Sequence, residues 1–264
     1  MHITIGNDVE FILVKGKVPV SAIGFVGGSK TSPSPCHLGA LQEDNVLAEI
    51  NIYPAQDSSA WETNIQTVVQ ELKNRLPPFL SLSTAASMLF SEKELRHPLA
   101  KEFGCDPDYN AWTHMVNKFT KPTGNLARLR SAGGHVHVGI PKLSVKDGFE
   151  LIRCMDAFIG TQSVLVDKDI RRKILYGKAG AMRFKPYGVE WRTPSNFWAH
   201  TAAGRKWMFD SAMFVALNYK DLHKYYITED IVTLINSNNK SQASKFLKTL
   251  RKSLEFPLHP ALEY

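Results

Sequence analysis

HITIGNDVEFILV, residues 2–14, decides the fold. Ile3, Ile5, Val9, Phe11 and Leu13 share one parity, while Asp8 and Glu10 take the other. That period-2 alternation predicts a strand with one apolar face and one face bearing two carboxylates. The pattern returns at VLAEINI, 46–52, where Val46, Ala48, Ile50 and Ile52 oppose Leu47, Glu49 and Asn51. It returns again in AGGHVHVG, 132–139, with His135 and His137 two apart, and in VEWRT, 189–193, where Glu190 and Arg192 oppose Trp191.

Between these strands the chain predicts a short strand at 18–23, a Gly- and Pro-rich loop at 24–35, and a helix over 61–76 stopped by Pro77 and Pro78. A short strand follows within 79–90, then a long functional loop over 104–127. Ser144 is placed to cap a helix running to Val166, and strands are expected at 179–184 and 187–193. Helices are expected over 200–226, 229–236 and 241–254. With no internal repeat, the expectation is one α+β domain over 1–264, its sheet residues mostly before 195 and its last helices laid over the sheet.

Composition narrows the class. The 264 residues are 44% hydrophobic and 22% charged, which fits a globular protein with a sizeable core. Cys36, Cys105 and Cys154 form no CxxC pair and read as reduced thiols of a cytoplasmic protein, excluding a zinc knuckle. No stretch nears the ~20 apolar residues of a membrane span, and the first residues lack a signal-peptide pattern, so no membrane partner is expected. The net charge of +7, from 32 Lys and Arg against 25 Asp and Glu, points to anionic partners such as nucleotides, phosphorylated intermediates or nucleic acid.

The acidic and histidine pairs all occupy the non-core parity of their strands. A sheet face lined by carboxylate oxygens and a few imidazoles suits hard divalent cations such as Mg2+ or Mn2+. His135-Val-His137 lacks the HExxH helix of a zinc hydrolase, and no GxSxG elbow supports a serine hydrolase. Arg171, Arg172, Lys178, Arg183, Lys185 and Arg192 fall within 22 positions. Cations beside metal-binding carboxylates are what phosphoryl transfer requires, because charge spreads over the equatorial oxygens. Arg171 and Arg172 read most simply as a solvated basic face, and the phosphate-loop-like GGSKT at 27–31 is discounted because Ser29 stands where that motif needs Gly.

Taken in order, GNDVEF (6–11), QEDNVLAEIN (42–51), AGGHVHVG (132–139) and YGKAGAMRFKPYGVEWRTPSNFW (176–198) resemble the glutamine synthetase and glutamate-cysteine ligase superfamily. The resemblance is nearest to the small phage-type COOH-NH2 ligases, or amidoligases, and spans residues 6–198, leaving 199–264 as a C-terminal helical cover. It implies a curved, mainly antiparallel sheet with helices on its outer face, binding ATP and divalent cations. Asp8, His135 and Glu190 would hold the cation on the nucleotide phosphates. Glu10, Glu49 and one of Glu43 or Asp44 would hold the cation nearer the substrate carboxylate. Lys178, Arg183 and Arg192 would neutralise the transferring phosphate, with Lys185 beside them on the nucleotide and His137 near it.

The resulting expectation is an ATP-dependent carboxylate-amine ligase working through an acyl phosphate, with ADP and phosphate released. Its acid and amine substrates are either free or carried on a macromolecule, and its setting is the cytoplasm of a phage-infected bacterium. Two rivals remain at this level: a basic nucleic-acid-binding protein, supported by the charge and by KSQASKFLKTLRK at 240–252, and a metal-dependent hydrolase using the same side chains.

Overall fold

A computed structural model describes residues 2–101, 108–117 and 122–262. Its framework is an eight-stranded, wholly antiparallel sheet. Across the sheet the strands are Ser34–Cys36, Gly39–Asp44, Leu47–Ile52, Thr4–Phe11, Gly134–Gly139, Gly188–Trp191, Ala181–Lys185 and Tyr109–Asn110. The class is mixed α/β with a large antiparallel sheet. The four alternating runs read from sequence are its central strands, so one period-2 pattern sets which way each side chain faces.

On the apolar face Ile5, Val9, Ala48, Ile50, Val136, Val138, Val189 and Trp191 are buried in one continuous core. Helices Ser58–Arg75, Val145–Met155 and Ala202–Leu222 close that core, contributing Trp61, Ile65, Leu151, Ile152, Met208 and Val215. Trp61 stacks on Trp198 with ring centroids 5.8 Å apart. The first helix is capped by Asp57, which accepts from the Ala60 amide at 2.8 Å, and Ser144 caps Val145–Met155 by accepting from Asp147. Among the described residues no helix is long and apolar enough to cross a membrane.

Several local expectations are corrected. The Gly39–Asp44 strand carries no strand signature, because GALQED offers only Leu41 to the core; it pairs with Leu47–Ile52 and widens the sheet. Ser34–Cys36, at the end of the expected loop, is the sheet edge, where Pro35 costs no interior ladder bond. Val18–Val20 is shorter than expected and pairs with Leu13–Lys15 in a separate small sheet. The expected strand within 79–90 is two short ones, Ser81–Leu82 and Ser87–Leu89, in different small sheets. The helix from Ser144 is interrupted by a π turn at Asp156–Gly160 before resuming over Thr161–Val166. Of the expected 104–127 loop, Tyr109–Asn110 adds an edge strand and Gly124–Arg128 a 3-10 turn, while 104–107 and 118–121, with Cys105, lie outside the described residues.

Candidate active site

The polar face is assembled by strand register. Glu10 stands opposite Glu49, which stands opposite Gln42. Asp8 stands opposite both Asn51 and His135, and His137 opposite Glu190, which faces Arg183. Antiparallel partners share a face, so Glu10, Glu49, His135 and Glu190 come together on one side of the sheet although 180 positions separate the first from the last.

They form two adjoining groups, not the one cluster the strand faces imply. Donor atoms of Asp8, His137 and Glu190 lie within 4.8 Å of one another, and so do those of Glu10, Asp44 and Glu49. His137 joins Asp8 and Glu190 in the first group: its Nε2 is 2.9 Å from Asp8 Oδ1. His135 presents Nδ1 at 3.4 Å from Asp8 and 3.6 Å from Glu190, but its Nε2 is turned to Arg172 at 3.2 Å. The choice left open between Glu43 and Asp44 is geometric. Glu43 accepts from the Gly24 and Gly27 amides at 2.8 and 3.2 Å, whereas Asp44 meets Glu10 and Glu49.

Electrostatics differ between the groups. Burial would raise the Asp8 carboxyl, yet the charge and hydrogen bonds of His137 and His135 outweigh it and hold it well below the usual range. His137 is held up by Asp8 and Glu190 against the opposing effect of burial. For Glu190, burial and Asp8 push upward, but Arg192, His135 and His137 bring it down to about 2. For Glu49, burial first, then Asp8, Asp44 and Glu10, push it well above the carboxylate range, with only Lys30 opposing them. Gln42 donates to it at 2.9 Å and the Gly133 amide donates to Glu10 at 2.5 Å. Crowded carboxylates of this kind could hold a hard divalent cation at each group.

Cations ring the Glu190 side. Lys185 Nζ is 2.9 Å and Arg183 Nη1 3.7 Å from Glu190, and Arg192 donates to the same carboxylate. Arg192 also pairs with Asp108 at 3.3 Å. Lys178 is exposed on the preceding turn and meets no described side chain there; its carbonyl accepts from Thr193.

Three residues escape the sequence reading. Arg172, expected on a solvated face, is 3% exposed, donates to the Arg192 carbonyl, and is influenced electrostatically by Glu10. Its Nε and Nη1 are buried without hydrogen-bond partners among the described residues. Lys30, from the discounted GGSKT run, reaches Asp44 at 2.9 Å. Tyr187 lies 2.6 Å from His137 Nδ1 and stacks on its ring.

Fold and site together define a mixed α/β protein whose antiparallel sheet carries a cation-competent acidic face ringed by basic side chains. Residues 126–256 match the family model described as phage phiEco32-like COOH.NH2 ligase-type 2. The match contains His135, His137, Arg172, Arg183, Lys185, Glu190 and Arg192; Asp8, Glu10, Asp44 and Glu49 lie before it. No curated protein matches the chain. Among solved structures, the crystal structure of a bifunctional glutathione synthetase from Pasteurella multocida is similar with a TM-score of 0.45 and 11% identity. The similarity covers 95% of this chain, which spans about half, 49%, of that one.

Proposed function

We propose that the chain is a single catalytic domain of glutamine synthetase-like fold that joins a carboxylate to an amine at the expense of ATP. The observation that carries this reading is Glu190, shared between the Asp8–His137 group and the basic set Arg183, Lys185 and Arg192. Asp8, His137 and Glu190 would hold one Mg2+ or Mn2+, with His135 behind them. Glu10, Asp44 and Glu49 would hold another. Bound there, the cations would supply positive charge to phosphate and carboxylate oxygens.

Arg192, Arg183 and Lys185 would grip the γ-phosphate as it leaves ADP, and Lys178 would close on it from the turn. A carboxylate is inert to amines until phosphorylation gives it a leaving group. The substrate carboxylate therefore attacks the γ-phosphorus, the β–γ bridge bond breaks, and the amine displaces phosphate from the acyl phosphate to form the amide. Arg172, a buried guanidinium with unpartnered donors beside the Glu10 group, supports an anion-holding role on the acid side. The family's phage name favours a bacterial cytoplasm as the setting.

The test is incubation with ATP, Mg2+ and pools of amino acids and amines. ADP together with a new amide mass is expected; AMP with pyrophosphate, or amide formation without ATP, would overturn the mechanism.

A further inference from the structure

Among the described residues, Asp156 is a fully buried carboxylate on the apolar side of the sheet that the mechanism leaves unused, 0% exposed, at the start of the π turn. It accepts four hydrogen bonds. Oδ1 takes the Trp191 indole and the Thr193 hydroxyl, both at 2.9 Å. Oδ2 takes the Trp112 indole at 2.8 Å and the Gly180 amide at 2.6 Å. A carboxylate is the side chain that can accept on all its lone pairs, and four neutral donors replace the water it has lost.

The donors are not scattered. Trp191 and Thr193 flank Arg192 and point away from it, so binding both fixes the direction in which Arg192 leaves the strand. Gly180 belongs to the turn after Lys178, whose carbonyl lies 3.2 Å from the same Thr193 hydroxyl oxygen. Trp112 follows Asp108, the carboxylate that meets Arg192 on the other face. The π turn lies against the same cluster: a Cβ at Gly160 would stand 2.9 Å from Ile235 Cδ1 and in ordinary van der Waals contact with Trp191 and Asp156. π turns of this kind recur at functional sites.

We propose that Asp156 is a positioning residue that ties the Arg192 strand, the Lys178–Gly180 turn and the Trp112 loop into one unit, holding Arg192 and its partner Asp108 in the geometry that presents the guanidinium to the transferring group. This rests on the ligase reading for its catalytic consequence, though not for the coupling itself.

The test uses Asp156→Asn and Thr193→Val in the full chain. In the asparagine variant the amide NH2 replaces one oxygen and confronts two donors wherever it points. Hydrogen exchange should rise at least tenfold in 109–117 and 178–193, with 47–52 unchanged. ADP release per folded molecule, measured with ATP, Mg2+ and the amino-acid and amine pools, should fall at least tenfold while KM for ATP changes less than threefold. Thr193→Val removes a single donor and should move both readouts in the same direction by about threefold. It also decides the matter if the asparagine variant does not fold. Unchanged exchange in the two segments, or raised exchange with unaltered turnover, would overturn the proposal. An inactive wild type would instead sink the ligase reading, leaving the exchange measurement to judge the coupling.

Discussion

Glu49→Gln should stabilise the cation-free protein and diminish its response to Mg2+. Glu49 is 5% exposed, and its carboxyl shares a 4.8 Å neighbourhood with Glu10 and Asp44. Two unit charges at that separation repel by about 3 kcal/mol at an effective dielectric of about 20. Burial and this repulsion raise the Glu49 pKa above the ordinary carboxylate value of 4.5. The native state therefore holds its proton longer than the unfolded chain does. The associated stability is complete below about pH 4.5 and is lost as pH climbs through the raised native value. Glutamine keeps an oxygen to accept from Gln42 and removes the charge, so the variant should lose the pH dependence and gain about 1–3 kcal/mol near pH 7.5 without metal. Mg2+ at 100 times its Kd stabilises the wild type by about 2.7 kcal/mol, or about 5–8 °C in melting temperature for a chain of this size. Thermal melts in EDTA and in Mg2+, at pH 5 and 7.5, measure all of this. An EDTA melt lower than wild type, or an undiminished Mg2+ shift, would show that Glu49 is not a crowded cation ligand.

Asp44→Asn should diminish the Mg2+ shift while Glu43→Gln preserves it, since Glu43 is committed to the Gly24 and Gly27 amides; parallel melts decide. Arg192→Lys keeps the charge but loses the planar fork that meets Glu190 and Asp108, so ADP release should fall about 10- to 100-fold with folding retained, as steady-state kinetics and circular dichroism on one preparation would reveal. Asp156 is pushed up to about 6 by burial, its hydrogen bonds opposing the rise from 3.8. Its stabilising contribution should be whole below about pH 4 and should decline by on the order of 3 kcal/mol as pH rises to about 6. Denaturant titrations against Asp156→Asn should show that slope vanish in the variant.

How much of this was legible in the sequence follows from what is local. The faces carrying Asp8, Glu10, Glu49, His135 and Glu190 are dictated by period-2 alternation, and each strand lies where its own residues put it. Partnership is not local. His135 is the register partner of Asp8, yet His137 completes the donor group, because diagonal reach across three strands decides which imidazole turns inward. Arg171 and Arg172 are neighbours of identical chemistry. The first pairs with Asp169 at the surface, and only packing against Gly133, Gly177 and Arg192 buries the second. Lys30 sits in a loop with no phosphate-loop helix behind it, and its role on Asp44 depends on a strand, Gly39–Asp44, that composition hides.

The most direct measurement follows oxygen. With the amino-acid pool carrying 18O in its carboxylates, ATP and Mg2+, an acyl phosphate requires that one labelled oxygen per amide formed leave on inorganic phosphate, detected by mass spectrometry. One 18O in each released phosphate, with ADP unlabelled, is expected. Label in AMP, or label-free phosphate alongside new amide, would contradict γ-phosphoryl activation of the acid at this sheet face.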